Sequence, residues 1–487
     1  MLVTKEQVVE ALKKIVGEDK VSTELAVLQE NSHDRHMKFE AIHGVFPCPL
    51  PICVCKAGST EQVSEVLKYC NTNLVNVVPK TGGSATEGGL QTMKDCIVLD
   101  CSDMNEILEF NEEDMYVTVK AGTPLIYLEH WLQKRGYTTG HSPQSQEFAQ
   151  MGGLVATRSI GQFSNLYGGI EDLLLAVEVV LADGTICKTR IVPRKASGPD
   201  VRHMIMGGEG ALGVITEVTV KIFKYTPSTA WKAAYLMDNF HDGLNLIRDI
   251  MVEGYKPSTA RLYDVGDTEL NFGDVMDCKG KCIILFIADG HEEITKATGK
   301  AIVKFADKWH GERIDSKYVD IWLGRRNYTD QTIADEKVEI LQTKKLYFST
   351  EICATWSNIH KIYDAVMARV PQTIPNLIVF GGHASHSYLN GTCVYFIYQY
   401  NAFVDDPVDE VKIHEDIIQA ISEEVLRYNG TITHHHGMGK IKAHLYKEEF
   451  GSAYKLMERL KVALDPNNIM NPGCIMPADW KEHTDQK

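Results

Sequence analysis

No stretch of this sequence approaches the roughly 20 consecutive apolar residues that a membrane-crossing helix needs. The opening MLVTKEQVVEALKKIVGEDK is amphipathic and charged, not an export signal. A cytoplasmic protein without a membrane span is therefore expected. Positive charge is in deficit: 50 Lys and Arg face 65 Asp and Glu, a formal net charge of −15. That balance excludes a general nucleic-acid binder, which needs a basic face to displace counterions from phosphates. Small-molecule chemistry is the better expectation. Internal repeats and low-complexity tracts are missing, and the glycine loop PKTGGSATEGGL lacks both GKS/T and the GxGxxG order. Paired cysteines are missing too: Cys53-Val-Cys55 and Cys278-Lys-Gly-Lys-Cys282 are followed by no second pair at zinc spacing. The 12 cysteines lie scattered, mostly in apolar runs, as free thiols do in a reducing compartment.

What is present is a globular composition, 44% hydrophobic and 24% charged over 487 residues, enough for two or three domains with sizeable cores. Glycine is concentrated between Pro143 and Glu217, at Gly152-Gly153, Gly161, Gly168-Gly169, Gly207-Gly208, Gly210 and Gly213. Each pair alone reads as a tight turn. The ordered set marks backbone that must approach a ligand closely. An earlier loop, PKTGGSATEGGL, follows a β-rich run and can converge backbone N–H groups on an anion.

Helical spacing of Val8, Val9, Leu12, Ile15 and Val16 predicts a helix over residues 4–17, and a second pattern carries Val63, Val66 and Leu67. Asp183-Gly184 predicts a hairpin turn in AVEVVLADGTICKTR. Past residue 226 the texture changes to alternating helices and strands, which predicts a second domain. The final third adds a long helix before the triplet His434-His435-His436. The tail DWKEHTDQK is expected to be frayed.

TRSIGQFSNLYGGIEDL resembles the TRxxGxxxNxYGxIEDL run of FAD-linked oxidases in the vanillyl-alcohol oxidase/p-cresol methylhydroxylase superfamily. PKTGGSATEGGL resembles that family's pyrophosphate loop. GPDVRHMIMGGEGALGVITE, the ARLYD around Arg261, HHHGMGK and DPNNIM follow in the same order, most like the alkyldihydroxyacetonephosphate synthase branch. The resemblance implies an α+β fold: an FAD-binding domain over residues 1–225, an α+β substrate or cap domain over 226–425, and a C-terminal segment over 426–487 that returns to the flavin. It also implies non-covalent FAD. The residues expected around the cofactor are Pro79, Lys80, Thr81, Gly82, Gly83, Ser84 and Ala85; Gln144, Ser145, Gln146, Glu147, Phe148, Ala149 and Gln150; Thr157, Arg158, Ser159 and Ile160; and Glu209, Gly210, Ala211, Leu212, Gly213, Val214 and Ile215.

The chemistry is expected at His434, His435 and His436, since imidazole readily shuttles protons near neutral pH. One of the three could instead simply cap or pack. The resemblance adds Tyr395 as a proton-exchanging phenol and Arg261 as the cation organising the same pocket. The bland alternatives are a core aromatic for Tyr395 and an ion pair with Asp264 for Arg261. At His383 the ether-lipid synthases carry an arginine that contacts a phosphorylated substrate, so His383 is expected to bind a substrate without that phosphate. His383 and His386 also resemble the HxGDGNxH metal segment of D-2-hydroxyacid dehydrogenases. Those relatives supply a glutamate where His435 stands, and without that carboxylate no metal is assigned here.

The expected function is an FAD-dependent oxidoreductase that takes a hydride from a hydroxylated small molecule to flavin N5. The alternative is a non-redox, ether-forming transferase that uses FAD, and a flavin-binding module without catalysis is a third class. A homodimer is expected, and an electron-transfer partner protein is left open.

Overall fold

The computed structural model describes residues 1–374, 377–402 and 408–480. Thr4 caps the first helix, Lys5–Val16, by accepting the amide of Gln7, while the Gln7 side chain accepts the Thr4 amide in return. This capping box satisfies amides that a helix start leaves free. Val8, Leu12 and Val16 face inward with Val63, Val66 and Leu67 of Thr60–Asn73. Both helices pack on a four-stranded sheet ordered Val21–Ser22, Val54–Lys56, Cys96–Asp100, Asn76–Lys80, whose last three strands are parallel.

A second sheet is antiparallel, ordered Ile107–Asn111, Tyr116–Lys120, Val214–Lys221, Leu174–Val180, Ile186–Lys188. Its last two strands turn at Asp183-Gly184 as expected, with Gly184 at φ +84° and the Asp183 carboxylate accepting the Thr185 amide. Only glycine takes that left-handed conformation without strain.

The third sheet has seven antiparallel strands in the order Glu312–Ile314, Trp231–Met237, Cys282–Ala288, Thr259–Tyr263, Leu377–Ser387, Gly391–Asn401, Lys345–Thr355. Strand side chains alternate between faces. Ala233, Tyr235, Met237, Ile284 and Phe286 therefore join one core under the helices Phe240–Val252 and Trp356–Thr373, while Ala234, Leu236, Ile283, Leu285 and Ile287 join another with Val319 and Trp322. In Gly391–Asn401 the same alternation sends Val394, Phe396, Tyr398 and Tyr400 into the first core and leaves Tyr395 and Ile397 on the opposite face.

The C-terminal segment crosses back to the four-stranded sheet. The Val77 amide donates to the Ile469 carbonyl at 2.8 Å, and the Asn471 amide to the Val77 carbonyl at 2.8 Å. Trp480 is 2% exposed, so the tail is anchored at least that far. The remainder of the expected frayed end, residues 481–487, lies outside the described residues. All 12 cysteines are free, nine of them buried.

Candidate active site

Sheet register builds the site as a row of residues. Glu351 pairs with Tyr395, Tyr395 with His383, and His383 with Tyr263 across four adjacent strands. Arg261, two residues from Tyr263, projects from the same strand face. Its Nε donates to the Tyr263 hydroxyl at 2.9 Å and its Nη1 to the Gln162 side-chain oxygen at 3.3 Å. Its Nη2 lies 2.9 Å from His383 Nε2. A guanidinium has no acceptor to offer, so His383 Nε2 must accept, and Nδ1 must carry the ring proton toward Asp267 Oδ2 at 2.5 Å. Burial and the Arg261 charge push His383 well below the usual histidine range. Burial raises the Asp267 carboxyl to about 7, against the pull of Arg261.

These contacts bear on two alternatives that the sequence left open. Asp264 does not pair with Arg261. It caps the helix Val265–Phe272 by accepting the Asp267 amide, and it accepts the Tyr363 hydroxyl. The set His383, His386 and a triplet histidine does not form a metal site, because both His383 nitrogens are engaged and His386 reaches Ser164 at 2.9 Å and Tyr395 at 3.4 Å. Among the described residues, the potential ligand atoms of Cys393, His434 and His435 fall within 4.8 Å of one another. The two Nε2 atoms there bond Tyr388 and Tyr395, the two Nδ1 atoms bond each other, and burial keeps the Cys393 thiol above its ordinary pKa, so we assign no ion to it.

The Tyr395 hydroxyl lies 2.7 Å from His435 Nε2, its phenol kept protonated by burial. The triplet is held by a residue that the sequence reading missed. Glu351 Oε1 accepts the Thr433 hydroxyl at 3.0 Å and three consecutive amides, those of His434, His435 and His436, at 3.0, 2.7 and 2.7 Å. Its other oxygen stands 3.5 Å from His436 Nδ1 and 3.8 Å from Lys442 Nζ. Lys442, with no exposed surface, is also 3.5 Å from Glu87, and Glu87 is 3.6 Å from His436. Burial opposes charge on Glu351, His436 and Lys442. The cations nevertheless hold Glu351 well below the carboxylate range, and the two carboxylates raise His436 and Lys442. A lone glutamate inside the apolar strand run FSTEICATW was the available signal.

Arg261, Tyr395, His383, His435 and His436 line one end of a cavity of about 490 Å³, while His434 does not reach it. All seven residues from Pro79 to Ala85 line it as well. So do Gln144, Ser145, Phe148 and Gln150; Thr157, Ser159 and Ile160; and Glu209, Gly210 and Leu212 through Ile215. Gln146, Glu147, Ala149, Arg158 and Ala211 lie outside it. Ala149 and Ala211 are core residues, Gln146 bonds Ser142, and Arg158 turns toward Glu171 at 3.9 Å.

The loops fit an extended dinucleotide because they interlock at glycines. A Cβ on Gly82 would fall far inside van der Waals contact with the Phe148 carbonyl, and one on Gly210, at φ +78°, would lie 2.9 Å from Pro79. Glu209 stands between, at φ +45°. Its carboxylate accepts the Met438 and Gly439 amides at 2.8 and 3.0 Å and ties the triplet segment to the glycine loops. Arg326 is half-buried and lines the same cavity, donating to the Ser142 hydroxyl at 2.9 Å and the Ser142 carbonyl at 2.6 Å. Burial and the neighbouring Arg261 charge lower it to about 9. Arg325 lines the cavity too, but it is half-exposed and paired with Asp274 at 2.8 Å.

Residues 51–190 match the family described as FAD binding domain, and residues 226–475 match FAD linked oxidases, C-terminal domain. The chain is 48% identical to the uncharacterized FAD-linked oxidoreductase YgcU of Escherichia coli (strain K12), over 98% of this chain and 100% of that protein. It is 26% identical to the alkyldihydroxyacetonephosphate synthase of Caenorhabditis elegans, over 94% of this chain and 82% of that one. The crystal structure of p-cresol methylhydroxylase with substrate bound superposes with a TM-score of 0.77 at 15% identity, covering 97% of both chains, so the fold is of that type.

Proposed function

The chain belongs to the FAD-linked oxidase family and is an FAD-dependent oxidoreductase, and from that premise we propose that it oxidises a hydroxylated small molecule by removing a hydride from the carbon that bears the hydroxyl. The observation that carries this reading is the Tyr395–His435 hydrogen bond of 2.7 Å, set in the cavity wall with Arg261. A phenol backed by a neutral imidazole is a proton acceptor in waiting, and a nearby guanidinium steadies a carbonyl or anionic oxygen. When bound, FAD supplies the two-electron acceptor for the hydride. The residues that would hold it are Pro79–Ala85, the cavity-lining members of 144–160, and Glu209–Ile215. We propose that they do so non-covalently, so that acid or heat frees the flavin without proteolysis.

The ether-forming alternative draws on the 26% identical synthase and on the Arg261 and Arg326 guanidiniums, which could take a phosphate. Against it, His383 gives its Nε2 lone pair to Arg261 and its proton to Asp267, and so offers no cation of its own. The test is anaerobic mixing of the FAD-loaded protein with 2-hydroxy acids, aryl alcohols and acylated dihydroxyacetone phosphate. Bleaching by a hydroxylated donor supports the proposal. Ether formation from the phosphorylated ketone and a fatty alcohol overturns it.

A further inference from the structure

Resting on the oxidation reading above, we propose that Tyr395, His435, His434 and Tyr388 form a proton path leading from the cavity to the protein surface, with Tyr388 as its exit. The links are continuous. Tyr395 Oη lies 2.7 Å from His435 Nε2, His435 Nδ1 lies 2.9 Å from His434 Nδ1, and His434 Nε2 lies 2.6 Å from Tyr388 Oη. Only the first two residues line the cavity. Tyr388 is half-buried at the turn joining Leu377–Ser387 to Gly391–Asn401, its amide donating to the Gly391 carbonyl at 2.8 Å, and the next residue, Leu389, is 66% exposed. Burial raises its phenol well above the ordinary tyrosine range, and the nearby carboxylates of Glu171 and exposed Asp172 add to that.

The path has one consistent polarity. The Tyr395 phenol donates to His435 Nε2, so that ring carries its proton on Nδ1 and donates to His434 Nδ1. His434 then carries its proton on Nε2 and donates to Tyr388, which leaves the Tyr388 hydroxyl hydrogen free to be passed on. When the donor's hydroxyl proton arrives at Tyr395 Oη, one hop over each link releases a different proton from Tyr388 Oη. No member changes charge and no electrons move along the path. Burial lowers His434 to about 4 and His435 well below the usual histidine range, so neither ring retains a second proton near neutral pH. The three amides bonded to Glu351 fix the backbone from which both rings project.

Two measurements on the FAD-loaded protein test the path. The first needs no donor: ¹⁵N spectra of histidine-labelled protein should show His434 and His435 each in a single neutral tautomer. Tyr388→Phe should release His434 into a tautomer mixture while His435 keeps its bond to Tyr395. An unchanged His434 signal in that variant, or a cationic His434 in the unmodified protein, overturns the path. The second is stopped-flow mixing with a bleaching donor and a pH-indicator dye. Bleaching and proton release should coincide in the unmodified protein. In Tyr388→Phe they should separate, release lagging by about 10²-fold, the low end of a lost proton-transfer group. Imidazole should restore release in Tyr388→Ala. Release that keeps pace in both variants overturns the path. Should no donor bleach the flavin, the oxidation reading falls while the ¹⁵N spectra still decide whether the path exists.

Discussion

Replacing Glu351 by glutamine keeps the side chain's shape and one acceptor oxygen but removes its charge. In the native protein that charge meets three backbone amides through Oε1, and His436 and Lys442 through Oε2, with no part of the residue exposed. Hydrogen bonds to a charged acceptor contribute ~1.5–3 kcal/mol against ~0.5–1.5 for neutral ones, so three amides lose about 3 kcal/mol together. Lys442 is left with Glu87 as its one carboxylate at 3.5 Å. Breaking a buried ion pair from one side costs ~3–5 kcal/mol. Glu351→Gln should therefore destabilise by roughly 3–5 kcal/mol, a large share of the ~5–15 that a domain possesses.

Urea unfolding of the FAD-loaded protein measures this loss, and the variant should also release its flavin at lower temperature. Its pH dependence carries a definite sign. Because the folded pKa of Glu351 is depressed, its contribution is present above the ordinary carboxylate pKa and is lost as pH falls through the folded value. The acid limb of the stability profile should flatten in the variant. A Lys442→Met double-mutant cycle should show positive coupling. A Glu351→Gln protein within ~0.5 kcal/mol of the native one, with an unchanged acid limb, would refute the account of how the triplet is held.

Tyr395→Phe should retain FAD while slowing flavin reduction by about 10²-fold or more, read in single turnover, and unchanged reduction would reduce Tyr395 to a packing aromatic. Gly82→Ala forces a methyl into the Phe148 carbonyl, where backbone on both sides cannot yield. It should cost ~1–3 kcal/mol or more and leave a colourless protein, checked by thermal melting and flavin content. Glu40, fully buried, is pushed to about 8 by burial and the neighbouring Glu410, which is itself raised to about 7. Folding therefore holds protons that the unfolded chain gives up, and stability should fall by a few kcal/mol between about pH 4.5 and 8. Glu40→Gln should flatten that decline, and a native-like slope in the variant would place the protons elsewhere.

The glycine loops were legible because close approach leaves only one residue type that fits. The chain can be read for Gly82 against Phe148 without knowing that they touch. Tyr395 was singled out by the family resemblance alone, since nothing in the run itself separated it from Tyr398 and Tyr400, which belong to the core. Partners set by tertiary packing were not legible. Glu351 bonds amides 83 to 85 residues away, and Glu87 and Lys442 lie on separate loops. Nothing local in KIKAHL says that its second lysine is buried. The capping role of Asp264 explains why the alternative Arg261–Asp264 ion pair does not form, since a helix start competes for the same carboxylate. Trp480 illustrates the same limit at the tail, where polar neighbours concealed an anchored aromatic.

The central claim is that this site takes a hydride from a hydroxylated donor. It is tested most directly by following the flavin spectrum after anaerobic mixing, without any electron acceptor, and then analysing the products. The account predicts that a hydroxylated donor bleaches the flavin fully and stays bleached, with the donor recovered as its carbonyl product in a one-to-one ratio to flavin. It also predicts no ether from acylated dihydroxyacetone phosphate and a fatty alcohol. Repeated ether-forming turnovers with the flavin oxidised at the end of each, and no bleaching by any hydroxylated donor, would contradict it.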